Sequence, residues 1–277
     1  MQAEQTVALT DSQIDIILGD LVDIYGYDFT SYSRASLKRR ILLLVSKDRF
    51  PSFAEFRFRL RTDVVYFNRF VEKITVNVTE MFRDISFHKT LRNEILPQLA
   101  TRPLIRIWHA GCSTGEEVYS MAILLHEANL LNKSLLYATD INPAVLEKVR
   151  GGIFPLSQMK QYSENYILSG GKKDFSSYYT AKYDAVKFED FLGRKMVLAT
   201  HNLVSDGSFN EFQLILCRNV LIYFDKSLQD RSLRLFYDSL EMLGYLALGA
   251  KESLKFTDIQ KNFRQHESGE KIWRKIS

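Results

Sequence analysis

The sequence predicts an α/β fold in which a parallel sheet follows an all-helical domain and is interrupted by a small β insertion. Apolar residues recur at the 3.6-residue helical period through the first ninety residues. Short apolar runs then alternate with amphipathic segments, which is typical of a parallel sheet covered by helices on both faces. We therefore expect a helical domain over residues 1–90 and an α/β domain over residues 91–277, with the insertion near 155–190.

The helical domain is predicted to contain four helices. Thr10 or Asp11 is a good N-cap for the first helix, because both side chains accept hydrogen bonds from free backbone amides. The second helix is expected to start near Ser33. Two more follow over 53–60 and 64–74, after a Pro-Ser start signal.

The α/β domain is predicted from its apolar runs. Strands are expected at 104–110, 134–139, 195–200, 212–217, 245–249 and 272–276. Helices are expected at 117–129, 142–150 and 226–243. Residues 151–191 are rich in Tyr, Lys, Gly and Ser and fit neither pattern, so we interpret them as an insertion that forms a small antiparallel sheet.

Composition excludes several classes of protein. Hydrophobic residues make up 46% and charged residues 25% of the 277, so a packed core is expected and disorder is not. No run approaches the roughly 18 apolar residues of a membrane span, and the start MQAEQTVALTDSQ lacks signal-peptide features, so we expect a cytoplasmic protein without membrane insertion. Cys112 and Cys217 are not in CxxC spacing, which argues against a structural zinc site; no metal is expected.

Charge is distributed unevenly along the helical domain. Residues 1–33 contain no Lys or Arg, whereas the next fifty residues are strongly basic, with a run at Lys38, Arg39 and Arg40. A basic surface of this kind would attract nucleic acid or an acidic protein face. A solvated helix face explains the same pattern.

The most informative segment is the apolar strand that runs into Gly111 and Gly115 and then directly into a helix. Two glycines at this place let the backbone turn tightly and let a ligand approach closely, which predicts a nucleotide cofactor. The next strand ends at Asp140, at about the distance at which a carboxylate reaches ribose hydroxyls in doubly wound folds.

The charges beside this turn indicate which nucleotide binds. The fingerprints G-x-G-x-x-G and G-x-x-x-x-G-K-[ST] are both missing, so the loop is not suited to pyrophosphate or triphosphate. Glu116 and Glu117 at the helix start would repel phosphates but suit the sulfonium and amino group of S-adenosylmethionine. Since acidic residues also favour helix N-termini, we assign only one of the two to the cofactor.

Four segments then carry a resemblance to a known family. They are Asn-Val-Thr-Glu-Met-Phe-Arg at 77–83, Gly-Cys-Ser-Thr-Gly-Glu-Glu-Val-Tyr-Ser at 111–120, Ala-Thr-Asp-Ile-Asn at 138–142 and Cys-Arg-Asn-Val-Leu-Ile-Tyr-Phe-Asp at 217–225. Together they resemble the chemotaxis receptor methyltransferases, the CheR family, over nearly the whole chain. The resemblance implies a Rossmann-like S-adenosylmethionine-dependent methyltransferase domain. It also implies formation of glutamate methyl esters on the cytoplasmic helical domain of chemoreceptors or related sensory proteins, with S-adenosylhomocysteine as product.

The resemblance also implies roles for individual residues. The implied cofactor-binding residues are Asn77, Thr79, Arg83, Gly111, Glu117, Asp140, Asn202, Leu203, Cys217 and Arg218. The implied catalytic residues are Arg83, which would also orient the acceptor carboxylate, and Tyr223, which would donate a hydrogen bond to it. A basic face of Arg34, Lys38, Arg39 and Arg40 would hold the acidic receptor helix.

Each assignment has a purely structural alternative. Asn77 and Thr79 could be helix caps. Arg83 could form a salt bridge, Tyr223 could be a core aromatic residue, and Cys217 could be a small buried hydrophobe. In the family, the insertion is a small β subdomain that docks a receptor-tail peptide in some members.

The sequence departs from the family pattern at two places. Val118 replaces the usual Pro, which affects only how the helix begins. The common Gly-His-Ser-Glu is here Gly-Ala-Lys-Glu at 249–252, which leaves the substrate open. A methyltransferase for another protein and a non-catalytic S-adenosylmethionine-binding signalling module therefore stay open. A nucleic-acid methyltransferase is disfavoured because the expected Pro-Pro-aromatic motif is missing and Leu216, not Pro, precedes Cys217. An NAD dehydrogenase is the remaining Rossmann alternative. We expect a monomer that binds no nucleic acid.

Overall fold

The computed structural model describes residues 9–75 and 79–277, which form two compact units. The first unit comprises residues 9–75 together with 223–231, and the second comprises 79–222 and 232–277. The α/β fold class with an all-helical N-terminal part is confirmed. Every helix in these ranges is too short or too polar to cross a bilayer.

The first unit is built from helices whose ends follow the expected signals. They are α1 (Asp11–Tyr25), α2 (Arg34–Lys47), α3 (Phe53–Thr62) and α4 (Val64–Ile74). The side chain of Thr10 accepts a hydrogen bond from Gln13 N, and the side chain of Gln13 accepts one from Thr10 N, which closes a capping box at the start of α1. Gly26, at φ +73°, ends the helix in the left-handed conformation.

Apolar faces of these helices form the core of the first unit. Ile14, Ile17 and Ile41 are fully buried. The segment 223–231 adds to this unit through the backbone: Ser33 N donates to Tyr223 O at 2.7 Å, and Asp225 N donates to Ser31 O at 2.9 Å. The last of the four family-like segments therefore ends within the helical unit.

The second unit is organised around a mixed sheet. In the described part of the chain, ten strands form two sheets: β1 (Ile105–Ala110), β2 (Ser134–Asp140), β3 (Ile153–Pro155), β4 (Tyr179–Lys182), β5 (Ala185–Phe188), β6 (Met196–Thr200), β7 (Phe212–Cys217), β8 (Leu240–Leu248), β9 (Phe263–Gln265) and β10 (Ile272–Lys275). The large sheet has the order β6-β2-β1-β7-β8-β10-β9. Its first five strands are parallel, and β10 pairs antiparallel with both β8 and β9. The carboxyl ends of the five parallel strands share one edge, where ligands bind in such folds.

Helices cover this sheet and complete the unit. They are α5 (Ile85–Thr90), which continues through a π-helical turn (Leu91–Ile95) into α6 (Leu96–Leu99), and then α7 (Glu116–Glu127), α8 (Pro143–Gly151), α9 (Met159–Leu168), α10 (Asp190–Gly193) and the part of α11 (Lys226–Ser239) that follows Arg231. Helix α7 is buried along most of its length, so its start is fixed by packing on several sides.

Two expectations about elements have clear outcomes. The insertion is confirmed as an antiparallel sheet, with strand order β3-β5-β4. The helix predicted over 226–243 was wrong at its end, because α11 stops at Ser239 and Leu240 already pairs with Phe212 of β7. The apolar periodicity of the sequence does not decide this boundary; pairing with a distant strand does.

Candidate active site

The turn between β1 and α7 has a backbone that only small residues can follow. Gly111 has φ +77° and Gly115, which caps α7, has φ +98°. A Cβ on residue 111 would lie 2.6 Å from Val220 Cγ2. The amides of Gly111 and Cys112 both donate to Thr139 O at 2.9 Å, which ties the turn to the end of β2. The glycine positions singled out in the sequence are thus sterically required.

Asp140 joins this turn to the next helix. Its Oδ2 accepts a hydrogen bond from Ser113 N at 3.0 Å, and its Oδ1 accepts one from Asn142 N at 3.0 Å. Burial raises the pKa of Asp140, and the two backbone donors oppose that effect. Each carboxylate oxygen keeps a second lone pair, so the side chain can still accept hydrogen bonds from ribose hydroxyls.

The structure gives Glu116 and Glu117 different surroundings. Glu116 is buried and accepts a hydrogen bond from Thr114 Oγ1 at 2.6 Å; burial raises its pKa. The Glu117 side chain is 21% exposed, and it is bound by His109 Nδ1 at 2.9 Å and by Arg218 Nη1 at 3.3 Å. Glu117 is therefore the carboxylate that a ligand could still reach.

Glu117 is held in its ionised form. Burial alone would raise its pKa, but the hydrogen bond with His109 and the positive charge of Arg218 outweigh it and lower the pKa to about 2. Burial and the charge of Arg218 lower the pKa of His88 to about 4, so this neighbouring imidazole is neutral at pH 7. The start of α7 thus carries a fixed negative charge at every physiological pH.

Arg218, at the end of β7, connects this charge to the segment before α5. Its Nη2 lies 2.5 Å from Asp84 Oδ2, and its guanidinium lies 3.7 Å from the centre of the Phe87 ring. Only 4% of the Arg218 side chain is exposed. The expected site residue Arg218 is therefore a buried link between two carboxylates, Asp84 and Glu117.

Glu252 fixes the loop that follows Arg218, a role that sequence reasoning missed. This buried carboxylate accepts hydrogen bonds from Asn219 N at 3.0 Å, Val220 N at 2.9 Å and Gly249 N at 2.6 Å. Asn219 lies at φ +61°, a strained conformation that these bonds stabilise. The available signal was that Glu252 is the glutamate kept in the altered Gly-Ala-Lys-Glu segment.

Three other residues were expected to bind the cofactor: Asn202, Leu203 and Cys217. His201 N donates to Asp140 O at 3.2 Å, which brings Asn202 and Leu203 beside the end of β2. The Asn202 side chain accepts a hydrogen bond from Val204 N at 2.9 Å and so closes its own turn. Cys217 is fully buried and burial raises the pKa of its thiol, which supports the small-hydrophobe interpretation.

The family-like segment 77–83 lies only partly within the described residues. Asn77 lies outside the described residues, and Thr79 and Arg83 are half-buried. On either side of Arg83, Phe82 N donates to Ser120 Oγ at 3.0 Å and Asp84 pairs with Arg218. The backbone that carries Arg83 is therefore fixed to α7 and to the end of β7.

The residues of the expected receptor-binding face and Tyr223 lie in the first unit, and most of them are engaged there. Arg34 pairs with Asp15 at 2.6 Å and Lys38 pairs with Asp11 at 2.8 Å. The Arg40 guanidinium lies 4.9 Å from the centre of the Tyr223 ring and donates to Ile74 O. Arg39 is exposed. The receptor-binding face and a catalytic Tyr223 stay predictions, and Arg39 is the member of that face best placed to meet a partner.

The polar groups at this edge of the second unit fit S-adenosylmethionine. Glu117 offers an ionised carboxylate suited to a cationic amine or sulfonium, and Asp140 offers free lone pairs for ribose hydroxyls. The buried His109 Nε2 has no hydrogen-bond partner among residues 9–75 and 79–277, so one more polar atom is available at the end of β1.

Comparisons with known proteins agree with this chemistry. The chain matches the family model "CheR methyltransferase, all-alpha domain" over residues 12–75 and the model "CheR methyltransferase, SAM binding domain" over residues 77–272. It is 44% identical over 266 residues to a Pseudomonas putida protein named "Putative methyltransferase Cher3", covering 96% of this chain and 97% of that protein. It is 32% identical to the "Chemotaxis protein methyltransferase" of Listeria innocua, covering 83% and 85% of the two chains. Identity to the protein of the same name from Borreliella burgdorferi is 29%, over 90% of each chain.

Proposed function

Since the chain belongs to the CheR methyltransferase family, we propose that it forms methyl esters on glutamate side chains in the cytoplasmic helical domain of a chemoreceptor or related sensory protein. The expected family, the S-adenosylmethionine cofactor and methyltransferase activity are confirmed. The protein substrate is the proposed part. It is supported by the names of the relatives and by the chemistry of the site.

We expect two carboxylates to hold the cofactor: Glu117 in the first turn of α7 and Asp140 at the end of β2. When bound, S-adenosylmethionine supplies an electrophilic methyl group on a positively charged sulfur. Glu117 would bind the positive end of the cofactor, and Asp140 would accept hydrogen bonds from its ribose. Arg218 and His109 act through Glu117: they keep its carboxylate ionised and in one orientation.

The acceptor needs orientation more than activation. A glutamate with a pKa near 4.3 is already ionised at neutral pH, so this chain need not supply a general base. Its tasks are to align the carboxylate with the methyl group and to exclude water. Arg83 can present two N–H donors to the two carboxylate oxygens, on a backbone fixed at Phe82 and Asp84.

The observation that carries the proposal is the ionised Glu117 beside the glycine turn. A phosphate-bearing cofactor would be repelled at this point, whereas a cationic methyl donor is attracted. The chain that carries this site also matches both CheR family models. A protein carboxylate is therefore the best supported methyl acceptor.

Methyl transfer can be tested with radiolabelled S-adenosylmethionine and purified receptor cytoplasmic domains. We expect label on the receptor that mild base releases as methanol, because methyl esters are base-labile and methylated amines are not. Receptor domains with the acceptor glutamates replaced by alanine are the matched control. Base-stable label would assign a different acceptor, and cofactor binding without transfer to any receptor would instead support the non-catalytic signalling module.

A further inference from the structure

The loop between β8 and β9 contacts the candidate site near its start and is exposed to solvent further along. Glu252 joins it to the backbone of Asn219 and Val220, directly after Arg218. The segment 251–261, which contains Glu252 and which we call the Phe256 loop, is also stabilised internally. Thr257 Oγ1 donates to Leu254 O at 2.7 Å, and Phe256 N donates to the Gln260 side chain at 3.0 Å.

Phe256 is exposed to solvent and has an unfavourable backbone conformation. Its side chain is 92% exposed, the highest value among the exposed large hydrophobic residues described. Its φ of +63° lies in the left-handed region, which is unfavourable for a bulky residue. Because the exposed ring adds little packing within this chain, it is available for contact with another molecule.

The surface around Phe256 is basic and has a groove of mixed polar and apolar lining beside it. Lys251, Lys255 and Lys261 are all exposed, against one exposed acid, Asp258. A cavity of about 440 Å³ adjoins the loop, and the apolar residues Leu254, Phe263 and Trp273 contribute to its lining. Lys251 lies in the segment 249–252, which departs from the family pattern.

We propose that the Phe256 loop is a docking surface for the acidic, amphipathic helix that carries the acceptor glutamates. This inference rests on the proposed function and adds a contact to it. Phe256 would insert among the apolar side chains of that helix, and the three lysines would face its carboxylates. Because Glu252 also orders the loop after Arg218, docking at Phe256 would hold the acceptor at the edge of the sheet where the cofactor binds.

The test compares Phe256→Gly with the wild type, using a receptor helical domain without its C-terminal tail. Glycine removes the ring and accepts the left-handed backbone, so the variant should fold at least as stably as the wild type. We expect KM for the receptor to rise about tenfold, as for loss of an aromatic anchor, with kcat and cofactor affinity unchanged. Tyr183→Gly is the matched control, because Tyr183 is 86% exposed at φ +56° in the β insertion.

A second variant tests the charges. Lys255→Glu with Lys261→Glu should also raise KM for the receptor, and should make it less sensitive to salt than that of the wild type. If Phe256→Gly and the charge variant both methylate the receptor with the wild-type KM, the docking surface is refuted while the proposed function stands. If the wild type itself transfers no methyl group to any receptor, the proposed function fails and the docking surface fails with it.

Discussion

Replacement of Glu117 by glutamine tests the electrostatic description of the site. The change keeps the size of the side chain but removes the charge that His109 and Arg218 stabilise. A fall in pKa from the ordinary 4.5 to about 2, at about 1.4 kcal/mol for each unit, is worth about 3 kcal/mol. We therefore expect Glu117→Gln without cofactor to lose about 3 kcal/mol of unfolding free energy at pH 7.

The pH dependence gives this prediction a definite sign. A carboxylate whose pKa is lowered by folding stabilises the protein above the unfolded pKa and loses that effect as the pH falls through the folded pKa. At pH 5 and above, the unfolding free energy of the wild type should therefore exceed that of Glu117→Gln by the full amount. The difference should shrink between pH 4.5 and about 2.

Urea unfolding followed by tryptophan fluorescence is a suitable assay, because Trp108 and Trp273, the two tryptophans of the chain, both lie in the second unit. Glu116→Gln is the matched control: burial raises the pKa of Glu116, so its ionisation gives no such stabilisation at pH 7. Equal stability of Glu117→Gln and wild type at pH 7, or a difference that persists undiminished at pH 2, would refute the reasoning.

Three further predictions test other parts of the account. Gly111→Ala should lower the unfolding free energy in urea by about 2 kcal/mol, because the residue has φ +77° and its Cβ would contact Val220; adding Val220→Ala should recover only the part due to the clash. Glu127→Gln should cost about 3 kcal/mol in the same assay, because it breaks a buried ion pair with Arg92, and a loss below about 1 kcal/mol would contradict this. Arg39→Glu should raise KM for the receptor in the methylation assay and leave cofactor affinity unchanged, whereas Lys160→Glu, the same charge change in α9, should have no effect on either.

Local signals were sufficient to predict most of the elements. The capping pair Thr10 and Gln13 marks the start of α1 within one turn. The six residues of β7 are all buried, so a continuous apolar run is visible in the sequence. The end of α11 could not be read in the same way, because apolar residues keep helical spacing from Phe236 through Leu240 to Leu243, and only pairing with β7 marks the start of β8.

The sequence predicted which residue types form the site better than it predicted the long-range contacts between them. The glycine turn and Asp140 follow from the strand-turn-helix pattern. The choice between Glu116 and Glu117 depends on which one meets Arg218, a residue about a hundred positions away, and no local pattern contains that contact. Glu252 orders the loop after β7 from a separate loop after β8, so its role too appears only when the sheet is assembled.

Calorimetric titration of the purified protein with S-adenosylmethionine and with S-adenosylhomocysteine tests the central claim most directly. We predict that the wild type binds both and that Asp140→Asn, which weakens the hydrogen bonds to the ribose, reduces both affinities about tenfold. Absence of binding heat with either nucleoside at millimolar concentration, or an Asp140→Asn variant that binds both as tightly as the wild type, would contradict the account.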